Sequence, residues 1–319
     1  MIGFTVAMGN TQPVGMRASC PYSKYAELSG NSAIKHLGLE KIIILSEEHL
    51  AKIDTSHIES FAEKCFYLKM FVFRLFPEVD RYLYFDVDWT CYNTPNPRIK
   101  SKILDSEKLV VVRDRPHFVF ISNAAEKIKV DKFRYFNAGF YVANREHHYS
   151  FFEKCINLYN DVPKEFADQC MMNYVAYNYN YPILYANRMW NMQDRHTWWF
   201  GENRSFESSL KCIGYHEPYN YDYHEGLVNI DGGNIEVDQE GMELISGWYL
   251  FEGPEFSTRI FLLSDGYSDN GSFSWILDAN HLYIFQPETG ELIVPFDRVN
   301  YSFVDGFFKA ERFRLIRLN

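Results

Sequence analysis

The stretch "YLYFDVDWTCYN", residues 82–93, opens with an apolar, aromatic run and then sets Asp86 and Asp88 either side of a valine. The run has the composition of a strand entering a core, where unpaired carboxylates are costly. The two acids therefore belong where the strand leaves the core. Strand periodicity of two puts Asp86 and Asp88 on one face and Val87 on the other. Two carboxylates so close repel unless a cation sits between them. A hard divalent ion, Mn2+ or Mg2+, suits such oxygen ligands.

Working outward, short apolar runs alternate with helical patterns. "GFTVAMG" (3–9) predicts a strand, and "YSKYAELSGNSAIKHLG" (22–38) a helix stopped by Gly38. "KIIILS" (41–46) predicts a buried strand, and "IESFAEKCFYLKMFVFRLF" (58–76) one long amphipathic helix halted by Pro77. "RYLYFDVD" (81–88) and "KLVVVRD" (108–114) read as further strands. This alternation predicts an α/β domain with a mostly parallel sheet. Ligands of such sheets bind beyond the carboxyl ends of the strands. Ala7, Met8, Gly9 and Asn10 fall there, as does the Asp86–Val87–Asp88 segment.

Farther along, the pattern changes to short alternating strands punctuated by turns such as "DGG" and "PETGE". A small all-β module over 226–319 is expected, following an α/β domain over 1–225. No motif assigns it a task, and packing against the α/β domain or self-association is its expected role.

Among the 319 residues, 47% are hydrophobic and 23% charged, which is a globular composition. A net charge of -10 argues against a nucleic-acid-coating protein, which needs clustered Lys and Arg. The six cysteines include no CxxC pair, so they read as buried free thiols in a reducing compartment. "MIGFTVAMGN" (1–10) lacks the basic start of a signal peptide, and no run is long and apolar enough to span a membrane. A soluble, cytoplasmic protein is expected.

On its own D-x-D is an unspecific pattern. Its company here resembles the GT-A glycosyltransferases, and among them glycosyltransferase family 8, across residues 3–217. "YLKMF" (67–71) leading to the D-x-D strand resembles the family's helix with a basic residue, placing Lys69 toward the donor. "FNAGFYVAN" (136–144) resembles its F-N-[AS]-G motif, so Asn137, Ala138 and Gly139 would line the donor sugar. "ADQCMMNYV" (167–175) is similar to its D-Q segment, setting Asp168 and Gln169 beside the anomeric carbon. "RMWNMQ" (188–193) places Asn191 in the pocket, and "CIGYH" (212–216) offers His216 as a third metal ligand. The chain departs from the family after this histidine, reading "HEPYNYDYHEG" (216–226) without the lysine that holds the diphosphate. Lys69, Arg188 and Arg195 are the candidate substitutes.

The resemblance implies a metal-dependent enzyme using a nucleotide-sugar donor, UDP-sugar first, and a glycan or other hydroxyl acceptor, with retention of configuration. The residues alone leave blander roles open: His216 in a hydrogen-bonded core, Asp168 as a helix cap, Asn137 in a turn. Trp198 and Trp199 read either as core or as a platform for the acceptor. Rival functions are a nucleotidyltransferase or a non-catalytic carbohydrate-binding protein on a similar scaffold.

Overall fold

The computed structural model describes residues 1–8, 22–115, 119–163, 165–193, 210–216, 236–254, 256–269, 273–278, 281–285, 292–297, 307–310 and 313–318. They form two compact units. The first holds most of residues 1–193 with Cys212–His216; the second holds Glu236 to Leu318 with short pieces at 115, 119 and 210–211. The boundary expected near residue 225 lies outside the described residues.

The first unit is built on a six-stranded sheet. Its strands are β1 (Ile2–Val6), β2 (Lys41–Leu45), β3 (Arg81–Phe85), β5 (Leu109–Arg113), β6 (Phe136–Asn144) and β7 (Ile183–Ala186), in the order β2-β1-β3-β6-β5-β7. A short β4 (Trp89–Cys91) pairs outside it with β8 (Gly214–His216). β1 runs parallel to β2 and β3, and β5 parallel to β7, as the alternating pattern predicts. β6 is antiparallel to both neighbours. That reversal matters for function, because it lays the amino end of β6 beside the carboxyl end of β3, with Phe140 opposite Phe85.

Packing explains the elements. Helix α1 (Tyr22–Leu37) buries Tyr25, Ala26, Gly30, Ala33 and Leu37 on one face and ends at Gly38, whose φ of +67° suits glycine. Under the sheet's other strands, Tyr82 meets the rings of Phe4, Phe73, Tyr141 and Phe152. Five described cysteines are free, four of them buried, as thiols packed like small apolar side chains.

Three expectations need correction. β1 is shorter than 3–9, ending at Val6. The helix expected over 58–76 is broken into α3 (Phe61–Leu68), a 3-10 turn (Lys69–Phe71) and α4 (Val72–Leu75). Residues 67–73 are all buried, and a straight amphipathic helix cannot turn seven successive side chains inward. The D-x-D acids also lie beyond β3 rather than on it, as the site geometry shows.

Helix α7 (Arg145–Asn157) carries a buried titratable group. His148 is 1% exposed, and its Nδ1 accepts the N–H of Asn144 at 2.9 Å, beside the amino end of the helix that Asn144 caps. Burial pulls the His148 pKa down to about 4. The folded chain therefore resists a proton that the unfolded chain takes up below its ordinary value of 6.5. Stability should fall by about 2 kcal/mol between pH 7 and pH 5. Urea unfolding at the two pH values measures the slope, and His148→Gln should flatten it; an equal slope in the variant would assign it to other groups.

The second unit is a seven-stranded antiparallel sheet preceded, among the described residues, by one helix, α9 (Gln239–Ile245). Helices α2 (Glu47–Leu50), α5 (Pro97–Leu104), α6 (Val119–Lys127) and α8 (Ala167–Asn178) come before it in the chain. Its strands are β9 (Gly247–Glu252), β10 (Ser257–Leu262), β11 (Ser274–Leu277), β12 (His281–Phe285), β13 (Leu292–Asp297), β14 (Phe307–Ala310) and β15 (Phe313–Arg317). They lie in the order β10-β9-β15-β14-β13-β12-β11. Isolated bridges Leu262–Ser268 and Tyr267–Ser274 link the connecting segment 267–268 to each of the two outer strands. Tyr249, Phe251, Ile260, Leu262, Leu282 and Leu315 alternate into its interior. Among the described residues no helix is long and apolar enough to cross a membrane.

Candidate active site

β3 ends at Phe85, and the chain turns at once: the Trp89 N–H donates to the Asp86 carbonyl at 2.9 Å. Asp86 and Asp88 therefore converge through a turn, not through strand alternation. The Val87 carbonyl between them accepts the Ser29 hydroxyl at 2.7 Å, which pins the turn to α1. The β4–β8 pairing then sets Trp89 opposite His216, bringing the imidazole to the acids across more than a hundred residues. His216 Nε2 lies 3.1 Å from Asp88 Oδ1, and one ligand atom from each of Asp86, Asp88 and His216 falls within 4.8 Å of the others.

This group fits a hard divalent cation. Two carboxylates and an imidazole are suitable donors, and Gly139 leaves the space between them clear. A Cβ there would stand 2.6 Å from Asp86 Oδ2 and 2.8 Å from both Asn137 Oδ1 and His216 Cε1. Without a cation, a proton does the neutralising. Burial alone would lower the His216 pKa, but Asp88, then Asp86 and Asp114, outweigh it and raise the group to about 9.

Behind the cluster lies Lys69, brought inward by the 3-10 turn and 2% exposed. Its Nζ is 2.5 Å from Asp168 Oδ2 and 3.5 Å from Asp86 Oδ1, and donates to the Ala138 carbonyl at 3.3 Å. The Tyr84 hydroxyl donates to the same Asp86 oxygen at 2.8 Å. Burial pushes the Asp168 carboxyl up, to about 6, against the pull of the Lys69 ammonium. Asp168 sits in the first turn of α8, which Phe166 rather than Asp168 precedes as the cap position.

Gln169 joins this pair to a fixed amide network. The Ala138 N–H donates to Gln169 Oε1 at 3.1 Å, so that atom must be the oxygen. Gln169 Nε2 then faces Asp114 Oδ2, at 2.7 Å. In the same way the Gly139 N–H donates to Asn137 Oδ1 at 2.8 Å, which turns Asn137 Nδ2 toward Gln169 Oε1 at 3.2 Å. Asn191 Nδ2 donates to Asn137 Oδ1 at 3.1 Å, and its own Oδ1 is buried without a partner. One turn along α8, Asn173 bonds both the N–H and the carbonyl of Phe136, at 2.9 and 2.8 Å. That double bond holds the helix against the start of β6, so Asn137–Gly139 and Asp168–Gln169 share one floor.

The sequence profile described as Glycosyl transferase family 8 matches residues 24–211. The chain belongs to glycosyltransferase family 8. It is a glycosyltransferase, which sets aside the nucleotidyltransferase. A sequence search of curated proteins gave no significant match. In structure it is similar to the apo form of WbbM, a bifunctional glycosyltransferase, with a TM-score of 0.51, 16% identity and 71% of this chain aligned to 49% of that one. The chain thus spans about half of the WbbM chain. It also aligns with the galactosyltransferase LgtC in complex with donor and acceptor sugar analogues, at TM-score 0.47 and 16% identity, covering 71% of this chain and 95% of that one. Mouse xyloside xylosyltransferase 1 aligns at TM-score 0.44 and 12% identity, covering 67% and 96%. WbbM supports the GT-A fold.

In this family 8 enzyme the expected site residues fall in three places. Asp86, Asp88, His216, Lys69, Asn137, Ala138, Gly139, Asp168, Gln169 and Asn191 share one connected site. Ala7 and Met8 are buried beyond the end of β1, where the Ala7 N–H donates to the Leu45 carbonyl at 3.0 Å. Gly9, Asn10, Arg195, Trp198, Trp199 and the segment after His216 lie outside the described residues. Of the candidate bases for the diphosphate, Lys69 already faces two carboxylates and Arg188 is 5% exposed. Asp114, with no role read for it in the sequence, is the acid that orients Gln169. Its signal was present: it ends the run "KLVVVRD" beyond β5, the same position that Asp86 holds after β3.

Gly139 offers a direct check on this arrangement. Gly139→Ala should leave the fold cooperative, yet displace Asp86 and His216 and lower transfer activity by about a hundredfold. Activity within threefold of the parent, with the same Tm, would show that the glycine is not needed for the cluster.

Proposed function

We propose that the enzyme transfers a hexose-like sugar from a nucleotide diphosphate donor, UDP-sugar first, to a hydroxyl of a glycan acceptor with retention of configuration. The observation that carries this reading is the Asp86–Asp88–His216 group at the end of β3, continuous with the Asn137–Gly139 and Asp168–Gln169 floor. A bound Mn2+ or Mg2+ would supply Lewis-acid stabilisation of the negative charge on the departing diphosphate. Asp86, steadied by Lys69 and Tyr84, and Asp88, paired with His216, would hold it. Asn137, Ala138 and Gly139 would line the sugar, with Asn191 Oδ1 free to accept one of its hydroxyls.

Retention follows the reading of the chain as a family 8 enzyme, and product stereochemistry by NMR tests it. Lys69 would hold Asp168 in place beside the anomeric carbon. The β module, 226–319, would be an accessory part, by packing or self-association.

Calorimetric titration with UDP, with and without Mn2+, tests the donor site. Binding should require the metal, and Mn2+ affinity should rise with pH up to about 9, by at most about tenfold per unit, because His216 must lose its proton to bind. UDP binding that ignores both Mn2+ and pH would remove the cation from the account.

A further inference from the structure

The cavity that holds Asp168 and Gln169 continues outward past the groups assigned to the donor. Its volume is about 480 Å³, inside the range of roughly 300–1,000 Å³ typical of small-molecule sites. The outer end is made by Ser60, Glu63 and Phe66 on one side and Glu165 and Phe166 on the other. Phe66 is 43% exposed and Phe166 39% exposed, although both line a concave surface. At the end of α3, Tyr67 and Leu68 are buried, while Phe61 at its start is also exposed. Two large apolar rings at the mouth of a polar cavity are surface that an occupant would cover.

The backbone beside Phe166 gives an independent indication. Ala167 has φ +36°, a left-handed conformation that side chains other than glycine seldom adopt and that gathers at functional sites. This reversal separates neighbours by role: Phe166 stands at the mouth and Asp168 on the floor, within one cavity.

We propose that Phe66 and Phe166 form the subsite for the acceptor, and that the acceptor is a neutral glycan. This rests on the donor reading of the inner cavity, since the acceptor must reach the anomeric carbon from the open end. An aromatic ring takes the C–H face of a pyranose, and a carboxylate takes its hydroxyl protons. Glu63 and Glu165 are placed for the second task, though Glu165 also pairs with Lys127. Charge selects against an acid. Among the described residues the lining carries the carboxylates of Glu63, Asp86, Glu165 and Asp168 and one ammonium, Lys69, which Asp86 and Asp168 already occupy.

The test uses the full chain loaded with Mn2+ and UDP. Saturation-transfer NMR and calorimetry would follow lactose, maltose, cellobiose and N,N′-diacetylchitobiose as neutral probes, with sialyllactose and a glucuronyl disaccharide as anionic ones. At least one neutral disaccharide should bind, with transfer to its C–H protons. Its affinity should fall about tenfold in Phe66→Ala and in Phe166→Ala, persist in the Phe→Tyr variants, and leave UDP affinity within about twofold. Anionic probes should bind at least about tenfold more weakly, and Glu63→Gln should narrow that gap. Neutral binding that survives both alanine variants, anionic probes that bind as well as neutral ones, or a UDP-loaded enzyme that binds no neutral probe would each overturn the assignment. Failure of the unsubstituted chain to bind UDP would instead strike the donor reading, whatever the glycans do.

Discussion

Asp88→Asn should abolish metal-dependent UDP binding and reduce sugar transfer by about a hundredfold to a thousandfold. Asparagine keeps the shape of the side chain but removes the charge that makes the site attractive to a divalent ion. Asp88 is 6% exposed and 3.1 Å from His216, so no water-filled gap compensates for the loss. The imidazole loses its main counter-charge as well, and its pKa should drop from about 9 toward or below the ordinary 6.5. Mn2+ affinity by electron paramagnetic resonance and UDP release from a UDP-sugar are the two measurements. A variant that keeps both within threefold would sink the cation account of this acid pair. A loss of Mn2+ binding with normal turnover would separate the metal from the chemistry.

Lys69→Met should produce the second large effect, and on stability first. The ammonium is the counter-charge of Asp168 and Asp86 in a site that solvent hardly reaches. Removing it leaves the buried Asp168 carboxylate without its counter-charge, a change that costs about 3–5 kcal/mol. The cost should depend on pH in a definite direction. In the parent, burial already raises the Asp168 carboxyl to about 6; without Lys69 it climbs further. The folded variant then binds a proton at a pH where the unfolded chain does not, so its stability falls as pH rises. Urea unfolding at pH 5.5 and pH 8 should show the deficit growing toward pH 8, and the double variant Lys69→Met with Asp168→Asn should recover much of it. A deficit below about 1 kcal/mol that is flat with pH would mean Lys69 is not the counter-ion.

The geometry shows why some of the site could be read from the chain and some could not. Asp86 and Asp88 stood out because charge after an apolar aromatic run is a local contradiction, visible within a dozen residues. Asn137–Gly139 and Asp168–Gln169 were found through motifs with a family resemblance, and Gly139 gained its reason only from the crowding around it. Lys69 was placed toward the donor, whereas its nearest partner is Asp168, ninety-nine positions away in the chain, and no helical pattern shows that pairing. Asp114 carried a strand-end signal as good as that of Asp86. Its partner, the Gln169 amide, comes within reach only where α8 docks on β6 through Asn173.

By itself the sequence determined the alternating α/β plan, the helix stop at Gly38, the acids at the end of β3 and the change to short strands after the first domain. These follow from side-chain periodicity, turn chemistry and the cost of burying charge, which act over a few residues. Tertiary structure decided that β6 runs against its neighbours, that residues 67–73 bury together through a 3-10 turn, and that His216 reaches Asp88 across β4 and β8. Those outcomes depend on which distant surfaces pair, and on charges finding counter-charges inside a packed core. Such energies exist only once the chain has closed around them.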